Sequence, residues 1–485
     1  MKKQYIASLV LASSLLTSAA HAVDLIAIGS ISGTYEDFAT ETAFPLENGI
    51  PGNRLGGMGS GLAFAGGTTF LGLPDRGPNA KSYNSLVDDT ASYIARFQTL
   101  NLSLAPTADP ITGLPFTLTP MLTGTTLLSS RTPLNYGSGV GLGFQADGVT
   151  PLGSGAPLLN AIDHTFYFTG RSDNFDPTQP STNPKNARLD PESIRVSNDG
   201  RSVFVSDEYG PYIHEFDRAT GKRLRSIALT ANLAITHLSA QGAVEIATNT
   251  VGRVTNKGME GLAITPDGKM LVGAMQANLE QDKKKSLRLV TVDLKSGVTH
   301  EYAYQLTDGS GVSEIVAVND HQFLVDERDG SGLGDTPLLT DVASKAGVKK
   351  LYLIDLAGAT DVTAIAGPNA DLSAYAVSKT LFLDIVATLT ASGINSYFIP
   401  SKIEGVAFGS DVTIGGVTKH TLYIANDNDF LATVADPLKL PTDATRGMVP
   451  NPNQIYVFAF SESELPGFVP QQFKHDHDDD DCRRN

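Results

Sequence analysis

A recurring strand–turn–strand unit constrains the fold of this chain more than any other feature. In its clearest copy, residues 257–276, two short apolar runs flank the turn Pro266-Asp267-Gly268, and Glu260 stands at the head of the first run. Short apolar runs bounded by Gly, Pro, Asp and Asn are typical of β-strands joined by tight turns. Comparable units begin near residues 190, 313 and 402, and a more degenerate one begins at Gly59. Because sustained helical periodicity is scarce, the sequence predicts an all-β fold.

Each unit continues into about two further strands, so one repeat consists of about four short strands in meander order. Such a repeat cannot bury both of its faces alone, and radial stacking of the repeats gives a β-propeller. Five units are recognisable, and residues 105–185 and 360–400 have room for more, so we expect six or seven blades. The lone strand 24–29 can pair beside 454–460 and close the ring with one strand from each terminus. A pair of β-sandwiches is the alternative, but it does not explain a glutamate repeated at one position.

The N-terminus has the pattern of a secretory signal peptide over residues 1–22. Lys2 and Lys3 precede an apolar run over 6–16, and Ala20-His21-Ala22 offers small residues for cleavage. No later stretch reaches the roughly 20 apolar residues of a membrane span, so we expect a periplasmic or secreted product without one. The propeller domain is expected over 23–465 and an acidic, disordered tail over 466–485. The single cysteine, Cys482, excludes an internal disulfide bond.

The composition narrows the classes of partner. A formal net charge of −16 makes nucleic acid an unfavourable partner and cations a natural one, although acidity also simply keeps exported proteins soluble. The sequence contains no Gly-x-Ser-x-Gly nucleophile motif, His-x-x-x-His pair or paired-cysteine metal motif. We expect a monomer that acts on a small anionic ester.

Glutamates recur at the start of the first strand of four units, which is the strand that lines the channel of a propeller. These residues are Glu192, Glu260, Glu314 and Glu404. Because their positions are equivalent, they are expected to converge at one mouth of the channel, where unpaired carboxylates repel one another and raise their pKa values. The pattern therefore predicts a hard cation, Ca²⁺ or another divalent ion, since Ca²⁺ accepts six to eight oxygen ligands. The alternative is that each glutamate caps backbone amides at a blade junction.

A second layer of polar residues follows the second strand of each unit. Its acidic members complete the predicted metal ligands, and they are Asp75, Asp207, Glu208, Glu327 and Asp427. The third unit departs from the pattern with Met275-Gln276. Turn chemistry alone also explains Asp and Asn at such positions.

Basic residues lie beside these acids and predict a mouth of mixed charge. The candidates for holding an anionic group are Arg76, Lys257, Arg328 and Lys402. Guanidinium and ammonium groups of this kind bind the oxygens of a phosphate ester. Taken singly, each of these residues can equally be the salt-bridge partner of a neighbouring glutamate.

Several of these segments resemble the phytase-like propeller family called "esterase-like activity of phytase". The resemblance spans about residues 50–460 in the order of the family, and the segments that carry it are Asp75-Arg76-Gly77-Pro78-Asn79, Pro191-Glu192-Ser193, Ser206-Asp207-Glu208-Tyr209-Gly210-Pro211, Gly258-Met259-Glu260-Gly261-Leu262-Ala263, Glu327-Arg328-Asp329 and Ile403-Glu404-Gly405-Val406-Ala407. It implies an exported β-propeller with phosphoesterase or esterase activity. By analogy with calcium-dependent propeller phytases, Ca²⁺ in the channel would bridge phosphate and activate water. Ser60 and Gln276 depart from the pattern, which implies an asymmetric site.

Three functions follow as hypotheses. The favoured one is a Ca²⁺-dependent hydrolase of phosphate esters, in which the carboxylates hold metal and the four basic residues hold the phosphoryl oxygens. The first alternative is a metal-dependent carboxylic esterase or lactonase, in which the cation polarises a carbonyl. The second is a propeller without enzymatic activity that binds a ligand or partner and contains structural Ca²⁺.

Overall fold

The protein was analysed as a computed structural model that describes residues 23–79, 83–87 and 91–474. The predicted signal peptide and residues 475–485, including Cys482, lie outside the described residues. The described part of the chain is folded mainly into five four-stranded sheets, all with antiparallel neighbours, and these are the blades of a β-propeller. The predictions of an all-β fold and a propeller are confirmed.

The strands are numbered in chain order. The first strand is β1 (Asp24–Ile31). Blade I contains β2 (Gly61–Phe64), β3 (Thr69–Leu73), β4 (Arg96–Ala105) and β5 (Thr117–Leu127). A short ladder follows, formed by β6 (Ser129–Ser130) and β7 (Phe166–Tyr167). Blade II contains β8 (Pro191–Val196), β9 (Ser202–Asp207), β10 (Tyr212–Asp217) and β11 (Arg223–Ala228).

Blade III contains β12 (Met259–Ile264), β13 (Met270–Met275), β14 (Ser286–Asp293) and β15 (Thr299–Gln305). Blade IV contains β16 (Gly311–Ala317), β17 (Gln322–Arg328), β18 (Lys349–Asp355) and β19 (Lys379–Asp384). The remaining strands are β20 (Lys402–Ile414), β21 (Val417–Asp427), the short pair β22 (Thr433–Ala435) and β23 (Met448–Pro450), and β24 (Asn453–Phe460). Blade V is built from β20, β21, β24 and β1.

The ring closes in two ways. The inner strands β2, β8, β12, β16 and β20 contact one another in that order, and β20 contacts β2. On the outside of blade V, β1 pairs antiparallel with β24, and Ile28 lies opposite Tyr456. This is the predicted closure with one strand from each terminus. Apolar side chains fill the space between blades, as Ile26, Leu62 and Val457 do between blades V and I.

The described residues form five blades, which corrects the expectation of six or seven. The stretch 105–185 supplies the outer strand of blade I, the short ladder and the helix α1 (Leu159–Asp163). The stretch 360–400 supplies β19 and the helix α3 (Ile385–Ala391), while α2 (Gly242–Thr248) lies in the loop between blades II and III. Three 3-10 turns cover Thr40–Thr42, Ala231–Leu233 and Ser373–Tyr375. The long stretches therefore complete existing blades, and the uneven repeat spacing comes from loops.

None of the helices in the described ranges is long and apolar enough to cross a membrane. The segment 466–474 crosses one end of the propeller and is bonded to blades IV, III and II in turn. The amide of Val469 donates to Val318 O at 2.8 Å, that of Gln472 to Pro266 O at 3.0 Å and that of Lys474 to Asn198 O at 2.7 Å. This part of the predicted tail packs on the propeller, and the charged remainder is outside the described residues.

Arg195 lies across the axial channel and ties its inner strands together. Its guanidinium donates to Leu62 O and Ile194 O at 2.7 Å each and to Ile315 O at 3.0 Å, so it bonds the carbonyls of blades I, II and IV. It also forms an ion pair with Glu314 at 3.0 Å. A cavity of about 60 Å³ separates Arg195 from residues 469–471. The side chains around Arg195 thus fill one end of the channel, and the opposite end is the mouth.

Candidate functional site

At this mouth the inner strands begin and the second strands end, and charged side chains from all five blades meet there. We call this group the mouth cluster. It contains eight carboxylates and three cations, namely Asp75, Asp190, Glu192, Glu208, Glu260, Glu404, Asp427, Asp429, Arg76, Arg328 and Lys402. Most of these side chains are less than a tenth exposed.

Irregular strand pairing places three of the glutamates. The register shifts beside Glu192 in blade II, beside Glu260 in blade III and beside Glu404 in blade V. A β-bulge of this kind re-aims a side chain and is common next to functional sites. In blades III and V the residue after the glutamate is a glycine. A Cβ at Gly261 of blade III would lie only 2.7 Å from the amide nitrogen of Ile315, so a side chain does not fit there. The local sequence therefore directs each glutamate to the mouth while the inner strands approach closely.

The acids of the mouth cluster contain two triads. In the first triad, Asp190, Glu192 and Glu208 bring carboxylate oxygens within 4.8 Å of one another. In the second triad, Asp75, Asp427 and Asp429 do the same. Carboxylates this close repel one another unless cations or protons lie among them.

Each cation of the mouth cluster bonds to carboxylates. Arg76 Nη1 donates to Asp190 Oδ2 at 2.8 Å. Lys402 Nζ lies 2.7 Å from Asp427 Oδ2 and 2.5 Å from Asp429 Oδ1. Arg328 donates to Glu404 and to Ser313 Oγ, and its Nη2 lies 3.6 Å from Glu260 Oε1.

Within the mouth cluster, two buried carboxylate oxygens have no hydrogen-bond donor among the described residues. They are Glu260 Oε2 and Glu404 Oε2. The other oxygen of Glu260 accepts from Gln276 Nε2 at 2.8 Å. Leaving a buried charged oxygen without a partner is costly, and such an oxygen in a native site indicates a ligand, an ion or a water.

Burial and mutual repulsion raise the acid pKa values. Burial, and then the Glu404 charge, raises the pKa of Glu260 to about 7, and burial raises the pKa of Asp427 to about 7. Burial also raises the pKa values of Glu192 and Glu208 well above the ordinary value, and the charge of Glu260 makes the next largest contribution to both shifts. If all the groups ionised, eight carboxylates against three cations would leave an excess of five negative charges.

Nine of the sequence-predicted site residues come together in the mouth cluster. They are Asp75, Glu192, Glu208, Glu260, Glu404, Asp427, Arg76, Arg328 and Lys402. The other four lie elsewhere, and each has a local reason.

Glu314 lies deeper in the channel because its position is one residue out of step with the other glutamates. Aligned on the apolar residues, Val312-Ser313-Glu314-Ile315 matches Met259-Glu260-Gly261-Leu262, so Ser313 is the equivalent of Glu260. Glu314 accepts from Ser193 Oγ at 2.8 Å and from the Leu262 amide at 3.0 Å, and it pairs with Arg195. Its carboxylate therefore holds the axial arginine and is not part of the mouth cluster.

Glu327 points away from the channel because neighbouring residues of a strand face opposite sides. It accepts from Tyr304 Oη at 2.6 Å, from Lys379, and from the amide of Gly309 at 3.0 Å. Burial alone would raise its pKa, but the Lys379 and Tyr304 hydrogen bonds hold the pKa of Glu327 below the ordinary value. Glu327 therefore forms an ion pair within blade IV, to which Tyr304 of blade III adds a hydrogen bond.

Asp207 and Lys257 flank the mouth cluster without joining either triad. Asp207 Oδ1 accepts from the amides of Asp190 and Tyr209 at 3.0 Å each, so it shapes the turn that presents its neighbours. Lys257 is exposed, and no ion pair joins it to another of the described residues.

Sequence reasoning missed Asp190 and Asp429. Asp190 directly precedes β8, and Asp429 follows Asp427 by two residues in an Asn-Asp-Asn-Asp run. Both lie beside residues that were singled out, so the density of acids at these strand ends was the available signal. Ser313 gave a signal only through alignment on apolar neighbours.

The first triad fits a divalent cation. Its donors are carboxylate oxygens, which Ca²⁺ and Mg²⁺ prefer. The unpartnered Oε2 belongs to Glu260, which is only 3% exposed and whose charge, after burial, contributes most to the raised pKa values of Glu192 and Glu208. A cation there would supply partners for oxygens that otherwise have none.

Comparison with known proteins gives a family and several similar structures. A model of the family described as "Phytase-like: Esterase-like activity of phytase" matches residues 53–430. A curated relative from Arthroderma benhamiae, named "Uncharacterized secreted protein", is 28% identical over 289 residues, which are 52% of this chain and 52% of the relative. The chain thus spans about half the length of the curated relative it matches.

The solved structures that match are distant in sequence. A periplasmic gluconolactonase from Pseudomonas aeruginosa is 11% identical with a TM-score of 0.32, over 90% of this chain and 99% of that one. A putative 6-phosphogluconolactonase from Bacteroides uniformis is 13% identical with a TM-score of 0.27, over 82% and 88%.

Proposed function

The chain belongs to the phytase-like family described as "esterase-like activity of phytase", and we propose that it is an exported, divalent-cation-dependent hydrolase of phosphate esters. The observation that carries this proposal is the buried mouth cluster, in which carboxylates with unpartnered oxygens lie beside arginines. Export is supported by the signal-peptide pattern and by the name of the curated relative.

In this proposal, Asp190, Glu192 and Glu208, completed by Glu260, hold Ca²⁺ or another divalent cation. The cation supplies Lewis-acid polarisation of a phosphoryl oxygen and lowers the pKa of water. Arg76 and Arg328 bind the other phosphoryl oxygens, since guanidinium groups match phosphate in charge and geometry. We assign to Glu404 the role of accepting the proton of the attacking water, because its Oε2 has no partner among the described residues and lies beside Arg328.

The test is hydrolysis of 4-nitrophenyl phosphate by the mature protein with Ca²⁺, with EDTA, and after Ca²⁺ is restored. We expect EDTA to abolish turnover reversibly and Glu192→Gln to lower kcat/KM by at least about 100-fold, as loss of a metal ligand does. Asp371→Asn is the matched control, because Asp371 is a half-exposed surface acid paired with Lys283. Turnover that ignores both EDTA and Glu192→Gln contradicts the proposal.

A carboxylic esterase or lactonase is the second candidate, and one observation favours it. Arg76, Arg328 and Lys402 are all engaged by carboxylates, so a phosphoryl group must compete with these, whereas a neutral ester need not. A parallel panel of 4-nitrophenyl acetate and a γ- or δ-lactone separates the two. If every panel stays silent while Ca²⁺ raises Tm, the non-enzymatic propeller with structural Ca²⁺ is supported instead.

A further inference from the structure

The two acid triads differ in what neutralises them. In the second triad the Lys402 ammonium lies against Asp427 and Asp429 at 2.7 and 2.5 Å. In the first triad Arg76 bonds only to Asp190, and the Gly258 amide donates to Glu208 at 2.8 Å. None of the described residues donates a hydrogen bond to the Glu192 carboxylate. In the second triad a cation of the chain thus bonds two of the three acids, whereas in the first triad Arg76 bonds one of the three and leaves Glu192 and Glu208 without a bonded cation.

The fold fixes Lys402 in this place. It is the first residue of β20, and it lies directly opposite Asp427 in the β20–β21 ladder. Asp429 is brought round by a turn in which its amide donates to Asp427 Oδ1 at 2.7 Å. The Lys402 side chain is 27% exposed and that of Asp427 is fully buried, so the ammonium reaches inwards from the rim.

An ammonium and a divalent cation cannot share these carboxylates. Both need the same oxygens of Asp427 and Asp429 at close range, and their like charges repel across a few ångströms in a poorly hydrated site. The Lys402 ammonium carries a single charge and needs no further ligands. It leaves the second triad with enough charge balance to fold without a metal.

We propose that Lys402 is a built-in cation that occupies the second triad, so that the mouth binds one divalent ion, in the first triad, and not two. This inference rests on the proposed cation dependence of the mouth cluster. It also separates Lys402 from Arg76 and Arg328, because Lys402 then positions Asp427 and Asp429 and does not bind substrate. Removing the ammonium should open a second cation site.

The experiment counts Ca²⁺ bound per chain by equilibrium dialysis with elemental analysis, using the mature protein. We expect one Ca²⁺ in the wild type, two in Lys402→Met and one in Lys402→Arg, which keeps the charge. Lys402→Met should also lose stability in EDTA and gain more in Tm from Ca²⁺ than the wild type does. Two ions in the wild type, or one in both the wild type and a folded Lys402→Met, would overturn the inference.

Two variants of the wild type keep the test decisive if Lys402→Met does not fold. Glu192→Gln should lose its Ca²⁺, and Asp427→Asn should keep it. The reverse pattern would place the ion in the second triad and contradict the role of Lys402. If the wild type binds no Ca²⁺ and Lys402→Met binds one ion, the proposed cation dependence fails while the role of Lys402 stands. If neither protein binds Ca²⁺, both the cation dependence and the role of Lys402 are overturned.

Discussion

Blades II and IV have the same four-strand architecture and opposite charges at the end of the second strand. At the mouth, blade II presents Glu192 and Glu208, whereas blade IV presents Ser313 and Arg328 at the equivalent positions. Deeper in the channel, Arg195 of blade II pairs with Glu314 of blade IV, although these two residues are not at equivalent positions. The strand register of the two blades is the same, so the inversion lies in the side chains alone.

This inversion shows how a nearly symmetric ring makes an asymmetric site. Were every blade to present the equivalents of Glu192 and Glu208, ten acids would crowd one buried mouth, and their mutual repulsion would raise their pKa values further. Arg328 instead lies between Glu260 of blade III and Glu404 of blade V and neutralises that side. The carboxylates that have no compensating cation are then concentrated beside blade II, where the first triad lies. Variants can break this comparison or sharpen it.

Removing the cation of blade IV should have the largest effect. Arg328→Met leaves Glu404 without its ion-pair partner and also removes a positive charge that stabilises Asp326. Asp326 is fully buried, and neither of its carboxylate oxygens is bonded to a described residue. Breaking a buried ion pair by removing one partner costs about 3–5 kcal/mol. We expect the free energy of unfolding in EDTA, measured with urea, to fall by that amount.

Two controls define the Arg328 result. Lys283→Met removes a surface cation whose partner, Asp371, is also about half exposed, and it should cost less than about 0.5 kcal/mol. Arg328→Met combined with Glu404→Gln should recover part of the loss, because the second change removes a stranded charge. A loss below about 1 kcal/mol for Arg328→Met alone would show that blade IV does not balance the mouth.

The pH dependence of stability should expose the acid excess. Glu260 and Asp427 have pKa values raised to about 7 in the folded protein, from ordinary values of 4.5 and 3.8. Between those limits the unfolded chain ionises first, so unfolding releases protons and stability falls as pH rises from about 4 to about 7. One pKa unit corresponds to about 1.4 kcal/mol, so shifts of roughly 3 pKa units allow a loss of up to about 4 kcal/mol from each of the two carboxyls.

Scanning calorimetry in EDTA between pH 5 and pH 8 measures this fall as a lower Tm at higher pH. Ca²⁺ should remove or reverse it, because the ion binds ionised carboxylates. A Tm profile in EDTA that does not change with Glu260→Gln would mean that the mouth cluster is not its source.

Much of the fold was predictable because local sequence patterns determine where the strands and turns lie. The turns and apolar runs located the inner strands of blades II to V, and the glutamates at 192, 260 and 404 were correctly expected to converge. The blade count was not, because the long stretches 105–185 and 360–400 contain outer strands and loops whose pairing depends on distant segments. Outer strands are half exposed, and their sequence pattern is correspondingly weak.

The errors at the site have one physical origin. A shift of one residue sends a strand side chain to the other face. Glu314 was aligned on its charge, although Val312 and Ile315 fix the register and place Ser313 at the mouth. Glu327 likewise lies away from the channel, whereas Arg328, which the sequence also predicts as a site residue, lies in the mouth cluster. Apolar anchors, which bury the most surface, decide register before charges do.

Blade III stands between blades II and IV in charge, because it presents Glu260 with the neutral Gln276, and a change there should have the smallest effect. Gln276 Nε2 donates to Glu260 Oε1 at 2.8 Å and helps to hold the pKa of Glu260 down, against burial and the Glu404 charge that raise it. Gln276→Met removes that donor at similar volume, so we expect a loss of about 1.5 kcal/mol, the lower end of the range for a hydrogen bond to a charged group. Gln276→Glu should instead add a second acid to blade III, as in blade II. We expect the free energy of unfolding in EDTA at pH 8 to fall by about the same amount as in Gln276→Met. Ca²⁺ should restore more of this lost stability in Gln276→Glu than in Gln276→Met. Equal responses of the two variants to Ca²⁺ would mean that the mouth does not sense charge at position 276, and that the difference between blades II and IV does not extend to their neighbour.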